Sequence, residues 1–84
     1  MSRLELWGRL QEAKSKYDEL NTLASADVTL AYRLLEPFAT YLEEDLTTLR
    51  AGQFLAVATR LNGTITEMQH TKGLIRRIKE ELGE

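Results

Sequence analysis

The chain has 84 residues, enough for one domain spanning 1–84 and no more. It contains no cysteine, which excludes disulfides and thiolate metal sites. Its formal net charge of -2 provides no overall attraction to nucleic acid or to an anionic membrane. The longest uncharged run near the middle, 51–59, is far shorter than the ~20 residues that cross a bilayer, and the N-terminus lacks a signal peptide's apolar core. We therefore expect a cytoplasmic protein that does not enter a membrane.

Apolar residues at alternating spacings of three and four predict the first helix, at 3–24. Ser2 and Glu5 match a capping box at its start, where each side chain can bind a free amide of the first turn. The apolar residues form a narrow seam of the a/d type found in coiled coils, which a helix lays against a partner helix. The seam consists of Leu6, Leu10, Ala13, Tyr17, Leu20 and Ala24.

A second helix is predicted at 27–51, after a short link at 25–27 that would turn it back beside the first. Asp27 or Ser25 is a natural N-cap for it, and Gly52 a suitable C-cap. Pro37 lacks an amide hydrogen and its ring clashes with the preceding turn, so we expect a kink there. The apolar sector is wide enough to touch two neighbours, which favours a central place in a bundle. Its main residues are Val28, Ala31, Leu35, Phe38, Leu42, Leu46 and Leu49.

The third predicted helix spans 53–82 and contains Gly63. Thr64 and Glu67 would match a new capping box after that glycine. Because the apolar phase continues through Gly63, we favour one long helix. Beyond Met68 the apolar stripe rotates around the helix, which predicts that the last turns face a second subunit or a partner protein. The rotated stripe consists of Leu74, Ile75, Ile78 and Leu82.

These elements predict an all-α fold. It would be an antiparallel three-helix bundle, or a helical hairpin with a long C-terminal helix, with the second helix kinked at Pro37. A chain of this size buries little apolar surface by itself. We therefore expect it to form a homo-oligomer, with a homodimer as the simplest case.

Two acidic patterns are candidates for chemistry. Glu67 and His70 form a Glu-x-x-His, the spacing with which helices of di-iron carboxylate bundles hold metal. The chain has one histidine, so a symmetric dimer would have to supply the second set, and both residues lie on the polar side of their helix. The acids at 43–45 fan out by ~100° each and do not converge on one atom. We therefore predict no metal, no cofactor, no catalytic residue and a protein that is not an enzyme.

A basic segment near the C-terminus could contact phosphates, which gives an alternative function as a small nucleic-acid-associated protein. Acidic residues follow it directly, and no aromatic side chain lies among the bases to stack on a nucleotide. These features argue against nucleic acid as the main partner. The segment consists of Lys72, Arg76, Arg77 and Lys79.

The apolar helix faces favour a role in protein–protein interaction. Leu4 and Trp7 lie off the main seam of the first helix, and tryptophan is enriched at the centres of interfaces. Trp7 would equally well cover the open end of the core. We predict a non-enzymatic adaptor, regulator or assembly component that binds itself and an unidentified protein. The predicted contact residues are Leu4, Trp7, Leu74, Ile78 and Leu82.

The last third of the chain contains a spaced pattern of glycine and apolar residues: Gly52-x-Phe54, then Leu61-Asn62-Gly63-x-Ile65, then Leu74-Ile75. This pattern resembles short helical proteins from the structural and packaging gene modules of tailed phages. The resemblance implies a virion, assembly or host-interfering accessory protein. It carries over no functional residues.

Overall fold

The computed structural model describes residues 2–40 and 45–83 of the chain. Within these residues, helix α1 (Arg3–Thr40, 38 residues) is followed by a short 3-10 helix (Leu46–Thr48) and by helix α2 (Ala51–Leu82, 32 residues). The two long helices pack antiparallel and form a hairpin that measures 61 by 19 by 15 Å. The fold is therefore all-α, and the hairpin is the predicted arrangement that the described residues form.

The break predicted between the first two helices, at 25–27, is absent, because α1 runs through it without interruption. The link contains neither glycine nor proline, and the spacing of the first seam continues through it in phase. Asp27, expected to cap a new helix, is instead buried inside α1. The three-helix bundle, with helices at 3–24 and 27–51, is therefore wrong for this part of the chain. The positions that continue the seam are Asp27, Ala31, Leu34 and Phe38.

The connection between the helices differs from the predicted end of a second helix. Pro37 lies near the end of α1, which continues past it to Thr40. A kink at Pro37 stays a prediction. Residues 41–44, and with them the predicted contact of Leu42, lie outside the described part of the chain. Leu46 lies in the 3-10 helix, and Leu49 directly follows it.

Asp45 starts this 3-10 helix. Its Oδ1 accepts a hydrogen bond from the backbone amide of Thr47 at 2.9 Å, which holds the pKa of the Asp45 carboxyl below its ordinary value. The hydroxyl of Thr48 donates to the Asp45 carbonyl oxygen at 2.8 Å. These bonds give Asp45, one of the three consecutive acids, a structural role at the turn.

Helix α2 is continuous through Gly63, as the unbroken apolar phase predicted, and its range is close to the predicted 53–82. It ends at Gly83, whose φ of 80° is in the left-handed region that glycine adopts without a Cβ clash. The Gly83 amide donates to the carbonyl oxygen of Glu80 at 3.1 Å and closes the last turn. The second half of the hairpin is therefore one continuous helix.

We expect Gly63→Ala to raise the free energy of unfolding by about 0.5–1 kcal/mol, because alanine loses less backbone freedom on entering a helix. A Cβ at position 63 would meet no other atom within 4 Å among the described residues, so the added methyl group has room. Urea unfolding followed by circular dichroism measures the change. A lower midpoint for the variant would show that Gly63 makes a close contact, such as one with a second copy.

The best-packed part of the core lies at the end of the hairpin where the two termini meet. Leu6 and Leu10 of α1 pack there with Ile78 and Leu82 of α2, and Leu10 has 0% of its surface exposed. Arg3 closes this end with a hydrogen bond from Nη1 to the Leu82 carbonyl oxygen at 3.0 Å. The seam predicted for the first helix is thus confirmed as a packing face within the chain.

The predicted rotation of the apolar stripe along α2 is wrong, and threonines are the reason. Thr71 is buried and Thr64 is half-buried, so both occupy contact positions that a search for apolar residues passes over. With them the spacing of three and four runs unbroken to the end of α2. Ile78 and Leu82 therefore face α1 and not a partner. The contact positions of α2 are 54, 57, 61, 64, 68, 71, 75, 78 and 82.

Candidate interaction surface

Two flanks border the seam between α1 and α2, and each forms one face of the hairpin. The groove face holds the residues that come one position before seam residues 10, 17, 75 and 82, and it contains a groove lined from both helices. The open face lies on the other flank, one position after seam residues such as 27, 34 and 64. The predicted contact residues divide between these faces and the core.

The groove has a volume of about 470 Å³ and lies near the termini. Leu6, Ala13 and Ile78 line its apolar part, and Leu74 borders it with 39% of its surface exposed. Charged side chains of both signs surround these apolar residues. Leu74 is therefore accessible, and its role as a contact residue stays a prediction. The charged residues are Arg9, Glu12, Lys16, Arg77 and Glu81.

The other predicted contact residues have contrasting environments. Leu4 is 82% exposed and Trp7 is also exposed, on the flank of α1 that belongs to the open face. Ile78 is only 5% exposed and Leu82 is buried beside it. These two side chains are part of the core within one chain, so they cannot form an accessible docking surface.

The half of the open face nearest the connecting loop has twelve positions, and we call it the loop-proximal open face. The sequence analysis did not predict it as a surface. Val28 and Leu35 were predicted in a bundle core, but both are exposed together with Tyr32, Leu55 and Ile65. The signal that finds them is the continuous seam, because Val28 and Leu35 each follow a seam residue. On α1 the face consists of Asn21, Ser25, Val28, Tyr32, Leu35 and Ala39. On α2 it consists of Ala51, Leu55, Ala58, Asn62, Ile65 and Gln69.

A polar pair interrupts the apolar seam near its middle. Nη2 of Arg60 lies 2.6 Å from Oδ1 of Asp27, and Nε of Arg60 lies 3.1 Å from both carboxylate oxygens. The hydrogen bond from Arg60 is the main reason why the pKa of Asp27 is below its ordinary value. A single buried polar group in a helical seam fixes the register of the two helices, because any slip leaves it unpaired. The pair therefore aligns α2 on α1.

We expect Asp27→Asn to lower the urea midpoint of unfolding at pH 7 and to have little effect in strong acid. The folded-state pKa of Asp27 lies below its ordinary value of 3.8, so the ion pair stabilises the fold fully above that value. This contribution is lost as the pH falls through the lower, folded-state pKa. Unfolding followed from pH 7 to pH 2 measures it, with Asp18→Asn as a control at an exposed aspartate of α1. An equal effect of Asp27→Asn at both ends of this range would contradict the role of the pair.

The basic segment is divided between the two faces. Lys72, Arg76 and Lys79 line one shallow depression of about 360 Å³, together with Glu80. Arg77 lies on the other flank, where it lines the groove. The structure thus brings three of the four predicted phosphate-binding residues together, with a carboxylate beside them.

Among the described residues, the metal candidate gains no further ligand. Glu67 and His70 are both exposed, and residues 2–40 and 45–83 contain no group of three or more His, Cys, Asp or Glu side chains placed to hold a metal ion. Glu43 and Glu44 lie outside the described residues. In the same parts of the chain, no helix combines the length and the apolar character needed to cross a membrane.

Comparison with known proteins adds no family to this description. No protein-family model, curated protein or solved structure matches the chain. The resemblance to short helical phage proteins stays a prediction.

Proposed function

We propose that the chain is a non-enzymatic protein-interaction module that self-associates through apolar side chains that the hairpin leaves exposed. The observation that carries this proposal is the surface area. The chain exposes 6,443 Å², whereas a compact monomer of its mass, 9.6 kDa, exposes about 5,100 Å². The excess of about 1,300 Å² is surface that a compact fold of this size would bury.

The composition of the exposed surface supports the same conclusion. Each long helix contacts one other helix along one seam, and ten large hydrophobic residues of the described chain remain exposed. Two hairpins that pack face to face form a four-helix bundle, which covers a second stripe on every helix. The excess area of the two chains together, about 2,600 Å², is more than the roughly 1,600 Å² that a standard interface buries, so the chain has enough surplus surface to form one.

The dependence of stability on protein concentration tests this proposal. Unfolding of a dimer releases two chains, so a higher concentration favours the folded state. A hundredfold increase in concentration corresponds to about 2.7 kcal/mol and should raise the urea midpoint by about 1 M or more. A midpoint that stays the same across this range would contradict self-association.

The alternative is a small nucleic-acid-associated protein, and the grouping of Lys72, Arg76 and Lys79 along one depression is what favours it. Phosphate contacts of this kind weaken steeply with salt. Binding of labelled DNA measured across a salt series tests it. An absence of binding at low salt would eliminate this alternative. The cytoplasmic location belongs to both proposals as an expectation from the sequence.

A further inference from the structure

We infer that a second copy of the chain packs on the loop-proximal open face, with the two hairpins antiparallel about a two-fold axis. This inference rests on the proposed self-association and adds to it the face and the orientation. The groove face and the terminal half of the open face stay free in this arrangement.

The first argument is the distribution of charge. Charged residues make up 29% of the chain, yet none of the twelve positions of the loop-proximal open face carries a charge. The centre of a protein interface is depleted of charged residues and enriched in aromatic ones. On this face Tyr32 and Leu55 are among the most exposed large apolar side chains, with Leu55 at 66%. A helix surface that faced only water would be expected to carry some of the chain's charged residues.

The second argument concerns orientation. Toward the termini the same flank carries one acid, Asp18, and four bases, Lys14 on α1 and Lys72, Arg76 and Lys79 on α2, so it is basic on balance. Parallel stacking of two copies would bring these cations opposite one another, and facing like charges destabilise an interface. In the antiparallel arrangement only the uncharged halves overlap, and the basic halves extend in opposite directions. Charge therefore selects the antiparallel pairing.

The third argument is that a two-fold axis makes the face complementary to itself. The same patch then serves both copies, as in most homodimers. The face spans about 28 Å of helix, from 21 to 39 on α1. Two hairpins of 61 Å that overlap over this length form a particle about 90 Å long.

The experiment compares two variants that make the same substitution on opposite faces. Leu55→Glu places a charge on the loop-proximal open face, and Leu23→Glu places one on the groove face. Both leucines are exposed, at 66% and 58%, so both single chains should keep their helical hairpin. Circular dichroism checks the helix content, and light scattering measures the mass.

We expect twice the chain mass for the unmodified protein and for Leu23→Glu, and a single folded chain for Leu55→Glu. Retention of the dimer in Leu55→Glu, or its loss in Leu23→Glu, would overturn the assigned face and leave self-association intact. A single chain for the unmodified protein would overturn self-association itself. Small-angle scattering should give a maximum dimension near 90 Å, and a dimer near 60 Å would overturn the antiparallel arrangement in which only the loop-proximal halves overlap.

Discussion

Leu10→Ala should lower the free energy of unfolding by about 3–5 kcal/mol, the range for a leucine removed from a well-packed core. Leu10 is the most deeply buried large side chain described, and it packs among Leu6, Ile78 and Leu82. The hairpin has one such cluster in its described residues, so little else compensates for a cavity there. Urea unfolding followed by helical circular dichroism measures the loss.

Leu4→Ala is the matched control, because it makes the same change six residues earlier at a side chain that is 82% exposed. Its effect should stay within about 0.5 kcal/mol, as for most surface substitutions. Similar losses for the two variants would show that the termini are not packed as the hairpin requires.

Ile78→Glu should unfold the terminal half of the hairpin, and it should not yield a well-folded single chain. Removal of the apolar side chain from this core costs about 2–5 kcal/mol by itself. A carboxylate without a partner in the same place adds a large desolvation cost. Helix content and urea midpoint should both fall. The rate of amide hydrogen exchange should rise at the start of α1 and at the end of α2.

Leu74→Glu is the control for this second variant. It lies one turn before Ile78, at the edge of the groove, where a carboxylate reaches water. We expect this variant to keep its helix content. If Ile78→Glu instead gave a fully helical single chain, Ile78 would lie on a self-association face, as the sequence alone suggested.

The sequence predicted the helical class and the extent of α2 because long amphipathic spacing determines both. It also predicted the seam from Leu6 to Ala24 as a packing face. The division of α1 could not be decided from the sequence. An aspartate between two apolar segments suits an N-cap, and it equally suits a buried partner for a distant arginine. Only the pairing of Asp27 with Arg60 across 33 positions distinguishes the two.

The errors in the predicted contact residues have a similar local cause. Thr64 and Thr71 occupy seam positions, so a search for apolar residues placed Ile78 and Leu82 on a separate, outward stripe. Leu4, Trp7 and Leu74 are exposed, and their role as contact residues stays a prediction. The uncharged loop-proximal open face emerges only when α1 is a single helix, because its pattern crosses the predicted break.

The central claim is that two copies of this chain associate, and the solution mass of the unmodified protein tests it most directly. Light scattering on a sizing column, at two loading concentrations, gives that mass without labels or substitutions. Our account predicts twice the chain mass of 9.6 kDa, with dissociation only at the lower concentration if at all. A folded species of 9.6 kDa at both concentrations would contradict it.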